Sequence, residues 1–593
     1  MNKLVKNIVS GAMILSCAGS FAAKKKKGGV IDPSLAVKEL APVVRKASKP
    51  GEGVYYSLFV RSFADGNGDG IGDFKGLIKK LDYLNDGDDS TTTDLGVTGL
   101  WLLPVFSSPS YHGYDVDDYY QINPEYGTMQ DFENFLAECK KRGIDVIIDM
   151  TCNHSSAYNQ WFIESKKQDS KYRTWYRWIN DMDFTENGGA YNRNQKGLAG
   201  NIWVMDMTNP ALDANGNKMT DKSGQTVMNY YAGLFSTNMP DFNMDERAVR
   251  EEFKKVFKFW LDKGVDGFRF DAAGHIYNSV EVKPGTETLS KAVGFWKEMT
   301  EYVKSVKPDA YMVAEVWEPN AVRSKYYGGM PSNFHFNLGT LIKDILNNQE
   351  LNDNDSEFVP DTDEKSFNGY ARYLESTYAD FGRNNPNYID APFLSNHDQV
   401  RSAANFNGKN KLDKMKMAAN LYILIEGVPF IYYGEEIAMR SGTDDPSKRT
   451  ALVWKPEGKE KLTPTWYAQG AYGNVAVYNK KTEPISVQEK NPDSILQYYK
   501  RIIRLKTAHP ALYKGRLKAV SCASPVIESY AMECDEEKAF VIHNVSSKDT
   551  VTVSIPNGYE NLPLVFTSKQ DAVLADGKVT LPPYCSVVLA ANK

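Results

Sequence analysis

Three carboxylates in this chain stand in settings that packing alone does not explain. Asp271 lies two residues after Arg269 in the run GFRFDAAGH, Gly267 to His275; Glu315 interrupts the apolar run YMVAEVW; Asp398 ends the triplet Asn396-His397-Asp398. A further polar pair, Asn153-His154, follows the strand-like stretch IDVIIDM. In the period-two pattern of a strand, Phe268 and Phe270 take one face and Arg269 and Asp271 the other, so a cation meets a carboxylate. Taken alone, that pair reads as an ordinary ion pair at a strand end. Three acids in otherwise apolar runs read differently, because unpaired buried charge is costly. Glycosidic-bond hydrolysis needs such a set: one carboxylate attacks the anomeric carbon while a second protonates the departing oxygen. Arg269 is expected to keep Asp271 ionised. The apolar neighbours of Glu315, among them Val313, Ala314 and Val316, should hold its proton to higher pH.

Such residues need a frame that gathers strand ends. Apolar, strand-like runs at 54–63, 97–105, 144–150, 265–271, 311–317, 334–338, 393–398 and 429–435 alternate with helical periods at 74–84, 129–142, 247–263, 289–306, 411–425 and 494–508. This alternation predicts an α/β fold, a (β/α)8 TIM barrel whose C-terminal strand ends form the active face. Residues 155–243 break the rhythm, rich in Trp, Tyr, Asn and Gly, and are too long for a connecting loop. They predict a small domain inserted after strand 3, leaving the barrel to 51–154 and 244–510. From 511 to 593 short alternating runs replace helices and predict a C-terminal antiparallel β-sandwich.

Composition narrows the partners. The 593 residues carry a net charge of −5, and apart from Lys24 to Lys27 there is no long basic run, so nucleic acid is not expected. The 12% aromatic content suits a core and also stacking on sugar rings. Residues 1–22 have a basic start (Lys3, Lys6), an apolar segment from Ile8 to Leu15 and small residues at Ser20-Phe21-Ala22, the chemistry of a signal peptide, followed by a leader at 23–50. Ile14-Leu15-Ser16-Cys17 equally resembles a lipoprotein cleavage box in which Cys17 would become a lipid anchor. Both readings predict an exported bacterial protein: secreted, periplasmic or held at the cell surface. No later stretch is apolar enough to span a membrane. The cysteines have no metal-ligand spacing, and a single bridge among the C-terminal ones stays open. The loop DGNGDGIGD offers hard oxygens to a hard cation: Asp65, Asn67, Asp69, Asp73 and the carbonyl of Ile71 predict a structural Ca²⁺ site, the alternative being an acidic turn without metal.

From Val54 to its end the chain resembles the α-amylase family of glycoside hydrolases. The matching motifs are Asp149-x-x-x-Asn153-His154, Gly267-Phe-Arg269-x-Asp271 with His275 four residues on, Glu315-Val-Trp317, Asn396-His397-Asp398 and the run GVPFIYYGEE; Met239 to Asn243, MPDFN, resembles the MPDLN of the group between oligo-1,6-glucosidases and neopullulanases. The resemblance implies a retaining double displacement with Asp271 as nucleophile, Glu315 as acid/base and Asp398 as transition-state stabiliser. It implies that Arg269, His154 and His397 bind the sugar, that Tyr114 stacks on it, and that Asn153, Asn243 and the backbone of His275 mark a second calcium position. Gly274 departs from the lysine that many amylases carry there. Tyr111-His112-Gly113-Tyr114 has the form typical of α-amylases, with Tyr111 where exo-acting relatives hold a terminal glucose with Asp. An enzyme cutting internal α-1,4 bonds of starch, glycogen or malto-oligosaccharides is therefore expected. The alternatives are an exo-acting α-glucosidase, a neopullulanase-like hydrolase or a glucanotransferase. A silent glucan-binding or transporter-associated barrel is disfavoured because the catalytic triad is complete.

Overall fold

The computed structural model describes residues 42–278, 280–282, 286–347, 368–468 and 475–593. The expected signal segment, with Cys17, lies outside them. Eight parallel strands follow one another in space in chain order: β1 Tyr55–Leu58, β2 Gly99–Leu102, β3 Asp145–Thr151, β4 Gly267–Asp271, β5 Tyr311–Ala314, β6 Ser332–Phe334, β7 Ile389–Ala391 and β8 Phe430–Tyr432. β8 pairs with β1, Tyr55 opposite Phe430. The seam between β7 and β8 is tied by Val428 N donating to Asp390 O (2.8 Å) and Phe430 N to Pro392 O (2.9 Å). The sheet is thus a barrel, as expected.

The strands are buried on both sides, which explains their apolar composition. On β4, Phe268 and Phe270 face outward onto the surrounding helices: Phe257 lies 5.3 and 5.6 Å from their rings, and Trp296 is 4.8 Å from Phe270. Helix Arg247–Asp262 presents Val249, Phe253, Val256, Phe257 and Trp260 to the barrel at the three- and four-residue spacing of one helical face. Gly267 is required by close approach, since a Cβ there would lie 1.8 Å from the Tyr311 carbonyl oxygen.

Two expected strands are misplaced. The seventh is Ile389–Ala391, not 393–398; Pro392 has no N–H to continue the ladder, and the polar run after it turns over the barrel mouth. The sixth is Ser332–Phe334, and helix Phe336–Asn347 begins where the strand was expected to continue.

Between β3 and β4 the chain builds a three-stranded antiparallel sheet from Trp178–Asn180, Met228–Ala232 and Trp203–Pro210, with a core of its own around Phe184, Ile202, Trp203 and Tyr230. Beyond the barrel, a five-stranded and a three-stranded antiparallel sheet enclose Phe540, Ile542, Val579, Leu581 and Val587. The residues before β1 are tied down: Lys46 and Ala47 donate to the Thr507 carbonyl, and Arg45 pairs with Asp89. No helix among the described residues is long and apolar enough to cross a membrane.

Candidate active site

The mouth at the C-terminal strand ends opens into a cleft of about 710 Å³. Asp271, Glu315, Asp398, His112, Tyr114, His154 and His275 all line it, together with Leu198, Phe235 and Met239 of the inserted domain. Its floor is organised by Arg269, which is fully buried. Nη1 donates to Asp271 Oδ1 at 2.7 Å and to both oxygens of Asp149 at 2.7 and 3.0 Å; Nη2 donates to Glu315 Oε2 at 2.6 Å. The Ala272 amide adds a second donor to Glu315 Oε2 at 3.0 Å. Ala272 holds φ 49°, a left-handed conformation rare for a residue with a Cβ, and this turn aims its amide back at Glu315.

The two principal acids are both raised. Burial pushes Asp271 up to about 6 and Glu315 up to about 7, against the opposing pull of Arg269 on both. Arg269 pulls in the expected direction, favouring the ionised form of Asp271, and limits the rise that desolvation causes. Burial also keeps the histidines neutral, with His154 pushed down to about 3 and His397 lowered well below its usual range.

Around the acids sit groups able to hold a polar ring. His154 is buried, and its Nε2 has no hydrogen-bond partner among the described residues although the side chain lines the cleft. Tyr114 stacks on His397 with centroids 5.4 Å apart, its hydroxyl lying 3.0 Å from Asp149 Oδ2 and also against His397 Nε2. Asp398 is held from the other side, 3.1 Å from His397 Nε2 and 3.0 Å from Arg449 Nη2. The Tyr111 hydroxyl donates to Asp445 and its ring stacks on Trp466, with His112 and Arg449, both lining the cleft, also against it.

Sequence reasoning assigned no role to several residues that shape this site. Asp149 sits under the floor, accepting from Arg269, Tyr114 and Trp101 Nε1 (3.2 Å). Its place in the Asp149-x-x-x-Asn153-His154 motif was the available signal. Asp445 and Arg449, 3.1 Å apart, line the cleft beside Asp398. They come from the polar stretch SGTDDPSKRT after β8, which has nothing to distinguish it from a surface loop.

The loop Asp65 to Asp73 curls around its own acids. Asp65 accepts from the amides of Asn67, Gly68 and Gly70, and Asp73 from those of Gly66, Asn67 and Gly76. Asp69 accepts from Ile71 N and from the Asn67 amide. Among the described residues no three His, Cys, Asp or Glu side chains converge into a metal cage. The donor chemistry nevertheless fits a hard cation, because each side chain keeps oxygen lone pairs and a carbonyl and an amide complete the set.

Two residues of the second expected calcium set have protein partners of their own. Asn243 turns away, donating from Nδ2 to the Thr174 carbonyl at 3.0 Å and accepting from Asp245 N. Asn153 Nδ2 donates to Asp241 Oδ1 at 3.0 Å.

The family model for the α-amylase catalytic domain matches residues 57–515, and that for the SusG α-amylase C-terminal domain matches 527–588. The chain belongs to the α-amylase family of glycoside hydrolases. It is 36% identical over 540 residues to α-amylase 3 of Dictyoglomus thermophilum, covering 90% of this chain and 92% of that one. Against an oligo-1,6-glucosidase of Parageobacillus thermoglucosidasius it is 30% identical over 552 residues, covering 84% and 91%. Among solved structures, an α-amylase from H. orenii superposes with TM-score 0.73 at 33% identity, covering 92% of this chain and all of that one. This family retains anomeric configuration, and the chain is accordingly a glycoside hydrolase of the retaining kind.

Proposed function

We propose that this family member hydrolyses internal α-1,4-glucosidic bonds of starch, glycogen or malto-oligosaccharides. The observation that carries the chemistry is Arg269, which holds Asp271 and Glu315 on its two terminal nitrogens at the cleft floor. The rise that burial gives Glu315 supports the acid role. Asp271, ionised, attacks the anomeric carbon, while Glu315, protonated, gives its proton to the departing glycosidic oxygen. Glu315 then takes a proton from water, and the resulting hydroxide displaces Asp271. Asp398, His154 and His397 grip the ring's hydroxyls, and Arg269 steadies charge on both carboxylates. Tyr114 supplies an aromatic wall beside His397.

Internal cleavage is supported by Tyr111. Its hydroxyl donates to Asp445 and its ring stacks on Trp466, and this position carries no carboxylate to hold the end of a bound chain. Malto-oligosaccharides blocked at the non-reducing end test this: they should be cut at internal bonds, and their complete resistance with glucose as the sole product from open chains would refute it. One observation favours an exo-acting or transferring enzyme instead. The Asp445–Arg449 pair beside Asp398 is a carboxylate and guanidinium able to grip a terminal glucose. Product profiles over time on maltotriose separate the two, since transfer yields products longer than the substrate.

Two further proposals rest on sequence and loop chemistry. The loop Asp65 to Asp73 binds one structural Ca²⁺ through Asp65, Asn67, Asp69, Asp73 and the Ile71 carbonyl. The chain is exported, as the basic and apolar pattern of residues 1–22 suggests.

A further inference from the structure

The junction between the inserted sheet and the barrel carries its own cation. Asp241, on the strand returning from the inserted domain, bridges back to His154, and Phe242 N donates to the Asn153 carbonyl at 2.9 Å. Asp241 is fully buried; it accepts from Asn153 Nδ2 with one oxygen and from Leu234 N (2.8 Å) with the other. Glu281, from the segment after β4, is also buried and lies within hydrogen-bonding reach of Asp241. Into this acid pair the inserted domain sends Arg177, with Nε 3.3 Å from Glu281 Oε2 and Nη1 4.0 Å from Asp245 Oδ2. The Arg177 backbone is held on both sides: its N–H donates to the Asp241 carbonyl, and its carbonyl accepts from Ala232 N.

We infer that docking of the inserted domain onto the barrel is carried by the Arg177 guanidinium set against the buried Glu281–Asp241 carboxyl pair, and that this junction takes no calcium. Two buried carboxyls beside one another need positive charge or a shared proton. Arg177 supplies the charge from within the chain, and its guanidinium would repel a divalent ion seated between the same acids. Asn243 is turned away, donating to the Thr174 carbonyl and accepting from Asp245 N. Leu198, Phe235 and Met239, which form one wall of the cleft, all belong to the docked domain. That wall should therefore keep its place whether or not the Asp65 to Asp73 loop holds an ion.

The test uses the full-length protein and reads metal content and proteolysis, not activity. After equilibration with Ca²⁺ and removal of free ion, wild type, Asp241→Asn and Glu281→Gln should hold the same number of calcium ions per chain. Limited proteolysis within 155–243 should proceed at the same rate in wild type with and without EDTA, and several-fold faster in Arg177→Met. One calcium fewer in Asp241→Asn or Glu281→Gln than in wild type would overturn the inference. So would EDTA exposing that segment of the wild type to protease. If Arg177→Met does not fold, the wild-type EDTA comparison and the calcium counts still decide.

Discussion

Arg269 Nη2 donates to Glu315 Oε2 at 2.6 Å while Nη1 of the same guanidinium donates to Asp271, so the two acids of the reaction share one cation. Their titrations are therefore coupled, and activity follows the pair, not either residue alone. The productive form has Asp271 ionised and Glu315 protonated.

That form fixes the sign of each limb of the pH profile. On the acid side the pair gains a proton that stops Asp271 from attacking, and on the alkaline side it loses the one Glu315 must donate; burial places both steps above the ordinary carboxylate range. A plot of kcat/KM on malto-oligosaccharide against pH should rise through the first step and fall through the second. Glu315→Gln should lower turnover of starch by roughly 10²- to 10⁴-fold. With α-glucosyl fluoride, whose leaving group needs no proton, the same variant should lose less rate and its alkaline limb should vanish. An alkaline limb unchanged in that variant would remove Glu315 from the acid role.

Asp149 acts through Arg269 and Tyr114 and is a positioning residue. Its negative charge raises Asp271, so Asp149→Asn should move the acid limb to lower pH. It also frees Arg269 and Tyr114 to shift, and a misplacement of about 1 Å costs on the order of 10²-fold in kcat. A fall in kcat with an unmoved acid limb would mean that Asp149 serves stability alone.

How far the sequence reached follows from what each signal depends on. The barrel was legible because its strands are covered on both faces and read as apolar runs, and Asp271 and Glu315 stood out as charges within them. His397 and Asp398 were found although their segment is a loop and not the expected strand, because the triplet itself was the signal. Arg449 and Asp445 escaped because they act from a polar loop whose meaning comes only from folding back over Asp398. The sequence places Arg269 two residues from Asp271, but the burial that opposes its pull is set by the whole barrel and is not legible in the run itself.

The calcium proposal makes a prediction of stability. An ion that binds only the folded loop stabilises it by mass action, about 2.7 kcal/mol when free ion is 100 times its Kd. Adding Ca²⁺ should raise the Tm of the wild type, and EDTA should reverse the rise. Asp69 is exposed and bonds only within the loop, so Asp69→Ala should fold yet melt at a temperature independent of calcium. A calcium-dependent melt that survives in Asp69→Ala would place the ion elsewhere.

Trp317 offers the sharpest separation of binding from chemistry. It follows Glu315 by two residues, lines the cleft, and is 53% exposed despite its size. Its ring is braced flat against Phe336, with centroids 4.7 Å apart and planes 16° from parallel, so it is held as a platform instead of swinging freely. Gly274 leaves open space nearby, a Cβ there meeting only Val316 at 3.9 Å. Aromatic contacts of this kind contribute about 0.5–1.5 kcal/mol beyond the area they bury. Trp317→Ala should therefore raise KM for long malto-oligosaccharides by roughly 2- to 10-fold, with little change in the pH limbs because no titrating group is touched. The effect should fade for α-glucosyl fluoride, which extends no sugar past the cleavage point. Equal losses on the long and the short substrate would show that Trp317 supports Glu315 and does not bind the glucan chain.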